Sequence, residues 1–113
     1  MDKVQLNEIV NKVTRKVHKL IGKSLRSIIL YGSYARGDYD AESDIDIMVL
    51  ADLEGDDLMR IEKQVFTIAW NIGTEYGILV AAYVNNYDTF NARIGISPFY
   101  RNVINDGVSV YAI

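Results

Sequence analysis

The segment Asp44-Ile45-Asp46-Ile47-Met48-Val49-Leu50 constrains the fold most tightly, because it reads as a strand that is apolar on both faces except for two carboxylates. Side chains alternate along a strand, so Asp44 and Asp46 share a face with Met48 and Leu50, while Ile45, Ile47 and Val49 fill the other. Such a pattern suits a central strand, covered on both sides. Two ionised carboxylates about 6 Å apart repel by roughly 3 kcal/mol at an effective dielectric near 20, before any desolvation is counted. The pair therefore calls for a positive charge between its members. Hard divalent cations, Mg2+ foremost, prefer carboxylate oxygens and complete their shell with water and substrate phosphates.

Upstream, Ser27-Ile28-Ile29-Leu30-Tyr31 is a second short apolar strand that stops at Gly32, a residue free to turn sharply and to let a ligand approach the backbone. Ser33 follows as the cap of a single helical turn through Arg36, which aims backbone N–H groups and a hydroxyl at an anion, and Gly37 can end that turn. Arg36 either adds a permanent charge suited to phosphate or is a surface residue of the turn. The loop Asp38-Tyr39-Asp40-Ala41-Glu42-Ser43 leads back into the acid-bearing strand.

Gly32-Ser33, ten residues, then Asp44-Ile45-Asp46, with Ala35-Arg36-Gly37 and Ser43 in between, resembles the signature of the minimal nucleotidyltransferases of the DNA polymerase beta superfamily. The resemblance implies an α/β nucleotidyltransferase fold, a small mixed sheet with helices packed on it, in one domain over residues 1–113. It also implies a function. Members of this size are often the antitoxin half of HEPN/MNT toxin–antitoxin pairs, which transfer AMP from MgATP to a hydroxyl, here expected to be a tyrosine, of a HEPN-type toxin. Asp44 and Asp46 would hold two Mg2+ ions, Gly32 and Ser33 would cradle the β and γ phosphates of ATP, and Arg36 would offset charge on the leaving group. A third carboxylate on the following strand activates the acceptor in this superfamily. Glu75, near the start of that strand, is the candidate, with an exposed charge at a strand entrance as its plain structural alternative; Asp88 lies beyond the strand.

Two other functions fit the same motif. One is an antitoxin that masks its partner by binding alone; the other is a small-molecule nucleotidyltransferase completed by oligomerisation, as a homo- or hetero-oligomer. Composition narrows the field further. A net charge of -3 provides no basic field for a long nucleic acid, and the chain has no cysteine for a disulfide framework. No apolar run approaches a membrane span and no signal peptide is visible, so a cytoplasmic protein is expected.

The remaining elements follow from periodicity. Leu6, Ile9, Val10, Val13, Val17, Leu20 and Ile21 recur at helical spacing behind an Asp2/Gln5 capping box, predicting a helix over residues 3–21 with His18 beside the apolar stripe and without chemistry. Gly55-Asp56-Asp57 opens a second helix carrying Leu58, Ile61, Val65, Ile68 and Ile72, bounded by Gly73, whose Phe66 and Trp70 are expected against the sheet or a partner. Residues 76–84 read as the third strand, Asn85-Asn86 as a turn, Ser97-Pro98 as the start of a helix to Asp106, and residues 108–111 as a small edge strand. Tyr34, Tyr39, Tyr87, Tyr100 and Tyr111 fall outside the clearest core segments and are candidates for an interaction surface.

Overall fold

Burial is what decides the position of each strand. A computed structural model describes residues 1–112, and among these four strands form one mixed sheet in the order β3-β2-β1-β4. β1 (Leu25–Tyr31) is antiparallel to both β2 (Ile45–Ala51) and β4 (Val108–Ala112), and β3 (Val80–Asn86) runs parallel to β2. The doubly apolar β2 thus occupies an interior position, as its pattern requires.

One face of the sheet is closed by α1 (Lys3–Ile21) and α3 (Gly55–Tyr76). Ile9, Val13 and Val17 of α1 and Val65 and Ala69 of α3 pack on Ile28, Ile45, Ile47, Val49 and Ala82 of the strands, all fully buried. Each Val or Ile removed from water in this way contributes about 1.5–3 kcal/mol. The other face carries a smaller cluster, in which Phe90 of α4 (Tyr87–Arg93) and Val103 of α5 (Pro98–Asp106) cover Ile29, Tyr31, Met48 and Leu50.

The caps explain most of the boundaries. Asp2 accepts from the Gln5 amide at 2.8 Å and α1 starts where the capping box places it. Ser97 caps α5 with Pro98 at its first position. The third strand differs from expectation. Gly73 does not stop α3, because its bare α-carbon is needed inside the helix: a Cβ there would collide with the Ile78 carbonyl and crowd Val80. α3 therefore continues to Tyr76 and ends in a Schellman motif, with Gly77 at φ 69°, its N–H on the Thr74 carbonyl at 3.2 Å and the Ile78 N–H on the Gly73 carbonyl at 3.0 Å. β3 is correspondingly displaced toward the C-terminus and absorbs Asn85 and Asn86. The turn chemistry of Asn86 is expressed one step later, where its side chain caps α4 by accepting from the Thr89 amide at 2.8 Å.

The aromatic residues take more varied positions. Phe66 and Trp70 are exposed on α3, with ring centroids 6.2 Å apart, which removes the sheet from the two expected placements and leaves the partner. Of the five tyrosines expected at a surface, Tyr34 is buried and Tyr87, Tyr100 and Tyr111 are half-buried, which leaves Tyr39 exposed. His18 packs its ring 5.5 Å from that of Tyr111. No described helix is long and apolar enough to cross a membrane.

Candidate active site

The site is built where β1 ends. Tyr31 pairs directly with Asp46 across the β1–β2 ladder, so the residue that follows Tyr31 must turn beside the Asp46 side chain. That residue is Gly32, at φ 77°, and a Cβ on it would collide with the Asp46 carboxylate. Only glycine meets both demands. The chain then enters the four-residue helix α2 (Ser33–Arg36), in which the amides of Ala35 and Arg36 bond to the Gly32 carbonyl at 3.2 and 3.1 Å. The amides of Ser33 and Tyr34 stand at the open end of the turn, without a preceding helical carbonyl. Gly37, at φ 85°, closes the turn with its N–H on the Ser33 carbonyl at 2.9 Å.

The loop back to β2 is held by its own polar groups. The Asp40 amide donates to Ser43 Oγ at 2.9 Å, the Glu42 amide donates to Asp40 Oδ1 at 2.8 Å, and Tyr39 stacks on Tyr34 at 4.4 Å. This loop delivers Asp44, exposed, and Asp46, half-buried, to the same end of the sheet.

Electrostatics follow from that placement. Burial pushes the Asp46 carboxyl above its ordinary pKa, the neighbouring Asp44 charge pushes it further in the same direction, and Arg36 pulls it back. The Tyr31 hydroxyl is raised chiefly by burial, and then by Asp46 and Tyr83. Arg36 is held at 3.2 Å by Asp38 and lies 4.0 Å from Asp106 of α5. Together Tyr31, Gly32, Ser33, Arg36 and Asp46 line a cleft of about 380 Å³, whose opposite wall is Phe99, Asn102, Val103 and Asp106 of α5. A second hollow, of about 480 Å³, lies between the start of α1, the Tyr34–Tyr39 stack and the end of α3. The smaller cleft is the candidate site, because the turn and the half-buried carboxylate both open into it.

Of the residues singled out from the sequence, Gly32, Ser33, Arg36 and Asp46 meet in the cleft, and Asp44 lies close enough for its charge to act on Asp46. Glu75 does not join them. It occupies the last turn of α3, 65 % exposed, and pairs with Lys12 of α1 at 3.7 Å, within the helical layer over the opposite face of the sheet. Asp88 sits in the first turn of α4, past the far end of β3, where its charge acts on Arg26. On β3, the residue opposite Asp46 is Ala81 and the residue opposite Met48 is Tyr83, so that strand presents no acid to the site face. Among the described residues there is no cluster of three or more His, Cys, Asp or Glu able to hold a metal ion alone. A pair of carboxylates, one of them half-buried and destabilised by the other's charge, nevertheless fits a hard cation that draws its remaining oxygens from phosphate and water. The α5 wall was missed in the sequence, where Ser97-Pro98 marks a helix start but nothing ties that helix to the turn at Gly32.

A bend that admits a carboxylate against its backbone, followed by an amide-presenting turn and a second acid, defines a phosphate-handling enzyme of the α/β class. Residues 8–102 match the nucleotidyltransferase domain model, and the chain belongs to that family. It is 38 % identical to Putative protein adenylyltransferase MJ0604 of Methanocaldococcus jannaschii over 94 % of both chains. Among solved structures, a putative nucleotidyltransferase from Sulfolobus solfataricus superposes with a TM-score of 0.62 at 18 % identity, covering 96 % of this chain and 82 % of that one. A chain of the complex of tri-AMPylated Shewanella oneidensis HEPN toxin with MNT antitoxin gives 0.54 at 22 % identity, covering 96 % and 72 %. These likenesses extend to the fold, and the chain is a nucleotidyltransferase.

Proposed function

We propose that this nucleotidyltransferase moves AMP from ATP to a tyrosine hydroxyl of a HEPN-type toxin and thereby acts as its antitoxin in the cytoplasm. The observation that carries the reading is the Asp46 carboxylate seated against the bare α-carbon of Gly32, so that an acid and an amide-presenting turn open into one cleft. The M. jannaschii relative named for protein adenylylation and the S. oneidensis complex with its AMPylated toxin support the choice of nucleotide and of acceptor.

In this mechanism Ser33 and the open amides of its turn bind the β and γ phosphates, and Gly32 lets them approach. Asp44 and Asp46 would hold Mg2+, which would supply charge neutralisation at the phosphates and lower the pKa of the acceptor hydroxyl. The acceptor oxygen attacks the α-phosphorus in line, a new P–O bond forms, the bond from the α-phosphorus to the bridging oxygen breaks, and pyrophosphate leaves. The proton of the hydroxyl passes to solvent. Arg36, positioned by Asp38 and Asp106, faces the departing charge.

A second reading, neutralisation by binding alone, draws support from β3, where Ala81 stands opposite Asp46 and no acid is available as a base. Incubating the chain with α-labelled ATP, Mg2+ and the product of the adjacent gene separates the two. Label on the partner that disappears with Asp44→Asn and with Asp46→Asn supports transfer. Neutralisation that survives both substitutions, with no label at any stage, replaces it with binding.

A further inference from the structure

The cleft has two chemically different ends, and α5 spans the distance between them. Asp106 stands beside Arg36 at 4.0 Å, at the end that contains the Gly32–Ser33 turn. Phe99 stands at the other end, seven residues earlier in the same helix, which is a rise of about 10 Å. Asn102 lies between them, and spacings of three and four residues put all three side chains on one face, the face that lines the cleft.

Phe99 is held but not covered. Its ring meets Tyr31 edge-on at 5.9 Å and tilts on Tyr100 at 5.8 Å, yet the residue remains 50 % exposed. An aromatic ring fixed by two others and left half open is a ready stacking platform, since little rotamer freedom remains to be lost when a flat ligand settles on it. A ligand matched to this cleft is anionic where it meets the Ser33–Arg36 turn, opposite Asp106, and planar and aromatic about 10 Å away, with hydroxyl groups between. A nucleoside triphosphate has that order of groups.

We propose that α5 forms the nucleoside subsite of the cleft, with Phe99 stacking on the base and the Asn102 amide hydrogen-bonded to the ribose hydroxyls. This inference rests on the AMP-transfer reading for its phosphate end and adds the residues that grip the rest of the nucleotide. Stacking tolerates any base because every base has a π face, so Phe99 provides affinity with little base selectivity. The Asn102 amide both donates and accepts, which suits a hydroxyl, and it gives the site a means of preferring ribose to deoxyribose.

The test compares ATP, dATP and inorganic tripolyphosphate, each with Mg2+, by equilibrium binding to the full chain. Tripolyphosphate reports on the phosphate end alone. Phe99→Leu keeps an apolar side chain on a half-exposed position while removing the π face, and its Tm shows that the chain remains folded. The wild-type chain is expected to bind ATP at least about tenfold more tightly than tripolyphosphate, as befits base stacking. Phe99→Leu is expected to remove about tenfold of ATP affinity and to leave tripolyphosphate unchanged. Asn102→Ala is expected to equalise ATP and dATP. If Phe99→Leu weakens neither probe, or weakens both equally, the subsite is not on α5. Should Asp46→Asn still weaken both probes in that case, the phosphate-end reading stands without it; should the wild-type chain bind neither ATP nor tripolyphosphate, both fall together.

Discussion

The two faces of the sheet are built from the same four strands and differ in how completely they are closed. On the face under α1 and α3, Ile45, Ile47 and Val49 are fully buried in a layer made mostly of aliphatic side chains. On the other face, α4 and α5 cover Met48 and Leu50 but stop short of Asp46, which is left half-buried at the floor of a cleft. One strand thus presents a closed core on one side and the candidate site on the other, and the two side chains that show the difference are neighbours, Asp46 and Ile47.

Substituting those neighbours gives the largest expected effects, and the effects are of different kinds. Asp46→Asn keeps the shape and removes the charge proposed to bind the metal, so AMP transfer should fall by on the order of a thousandfold, the equivalent of about 4 kcal/mol of transition-state stabilisation. Single-turnover transfer of labelled AMP measures it. Ile47→Ala leaves a void under α1 and α3 and should cost about 2–5 kcal/mol in urea unfolding, while the fraction that stays folded retains its turnover. A loss of stability in Asp46→Asn, or of specific activity in folded Ile47→Ala, would erase the division between the faces.

Gly32→Ala tests the hinge between the faces. The new methyl meets both a positive φ and the Asp46 carboxylate, so the variant should lose about 1–3 kcal/mol from strain and lose transfer as well, because relief requires Asp46 to move. Gly37→Ala, also at positive φ but with open space around it, should show a stability loss with much of the transfer retained.

A smaller effect concerns Asp46 and pH. Its folded-state pKa is raised, so the folded chain holds this proton more tightly than the unfolded chain, and the ionised carboxylate opposes folding at neutral pH. The penalty disappears as pH falls through the raised value toward the ordinary 3.8. Without Mg2+, Asp46→Asn should therefore be the more stable protein at pH 7 in urea unfolding, by a margin that solvent screening keeps small, with the gap closing as the pH falls toward 3.8. Adding Mg2+ and nucleotide should stabilise the wild-type chain alone.

How much of this was legible beforehand depends on the range of the interactions involved. The two-faced β2, the turn at Gly32, the capping box of α1 and the Ser97-Pro98 helix start are encoded within a few residues, and each was readable from spacing alone. The end of α3 was not, because Gly73 looks like a stop until the Ile78 carbonyl is seen packed on it. The placement of α5 across the cleft was hidden for the same reason, since the contact of Arg36 with Asp106 spans seventy positions of sequence. Tyrosines outside periodic segments looked exposed, yet Tyr34 is buried beneath Tyr39, which alone of the five is exposed.

The smallest expected effect is the most informative about the site. In the sequence Glu75 stands just before an apolar run, and the expected strand would have brought it near Asp44. The three residues that Gly73 adds to α3 change its surroundings entirely: it faces Lys12 across the α1–α3 seam, near a Tyr76 ring that the Lys12 ammonium also approaches at 4.9 Å. An ion pair this exposed contributes too little to move Tm measurably, because water and salt screen both partners. Glu75→Gln should therefore leave both Tm and AMP transfer unchanged, and its pH–rate profile should overlay that of the wild type. A tenfold or greater loss of transfer with an unchanged Tm would instead show that α3 gives up its last turn when the acceptor binds, bringing the carboxylate to the site face that β3 fills with Ala81. Without that loss, proton removal from the acceptor falls to solvent, to a group on the partner or to Asp106, the carboxylate that α5 adds to the cleft.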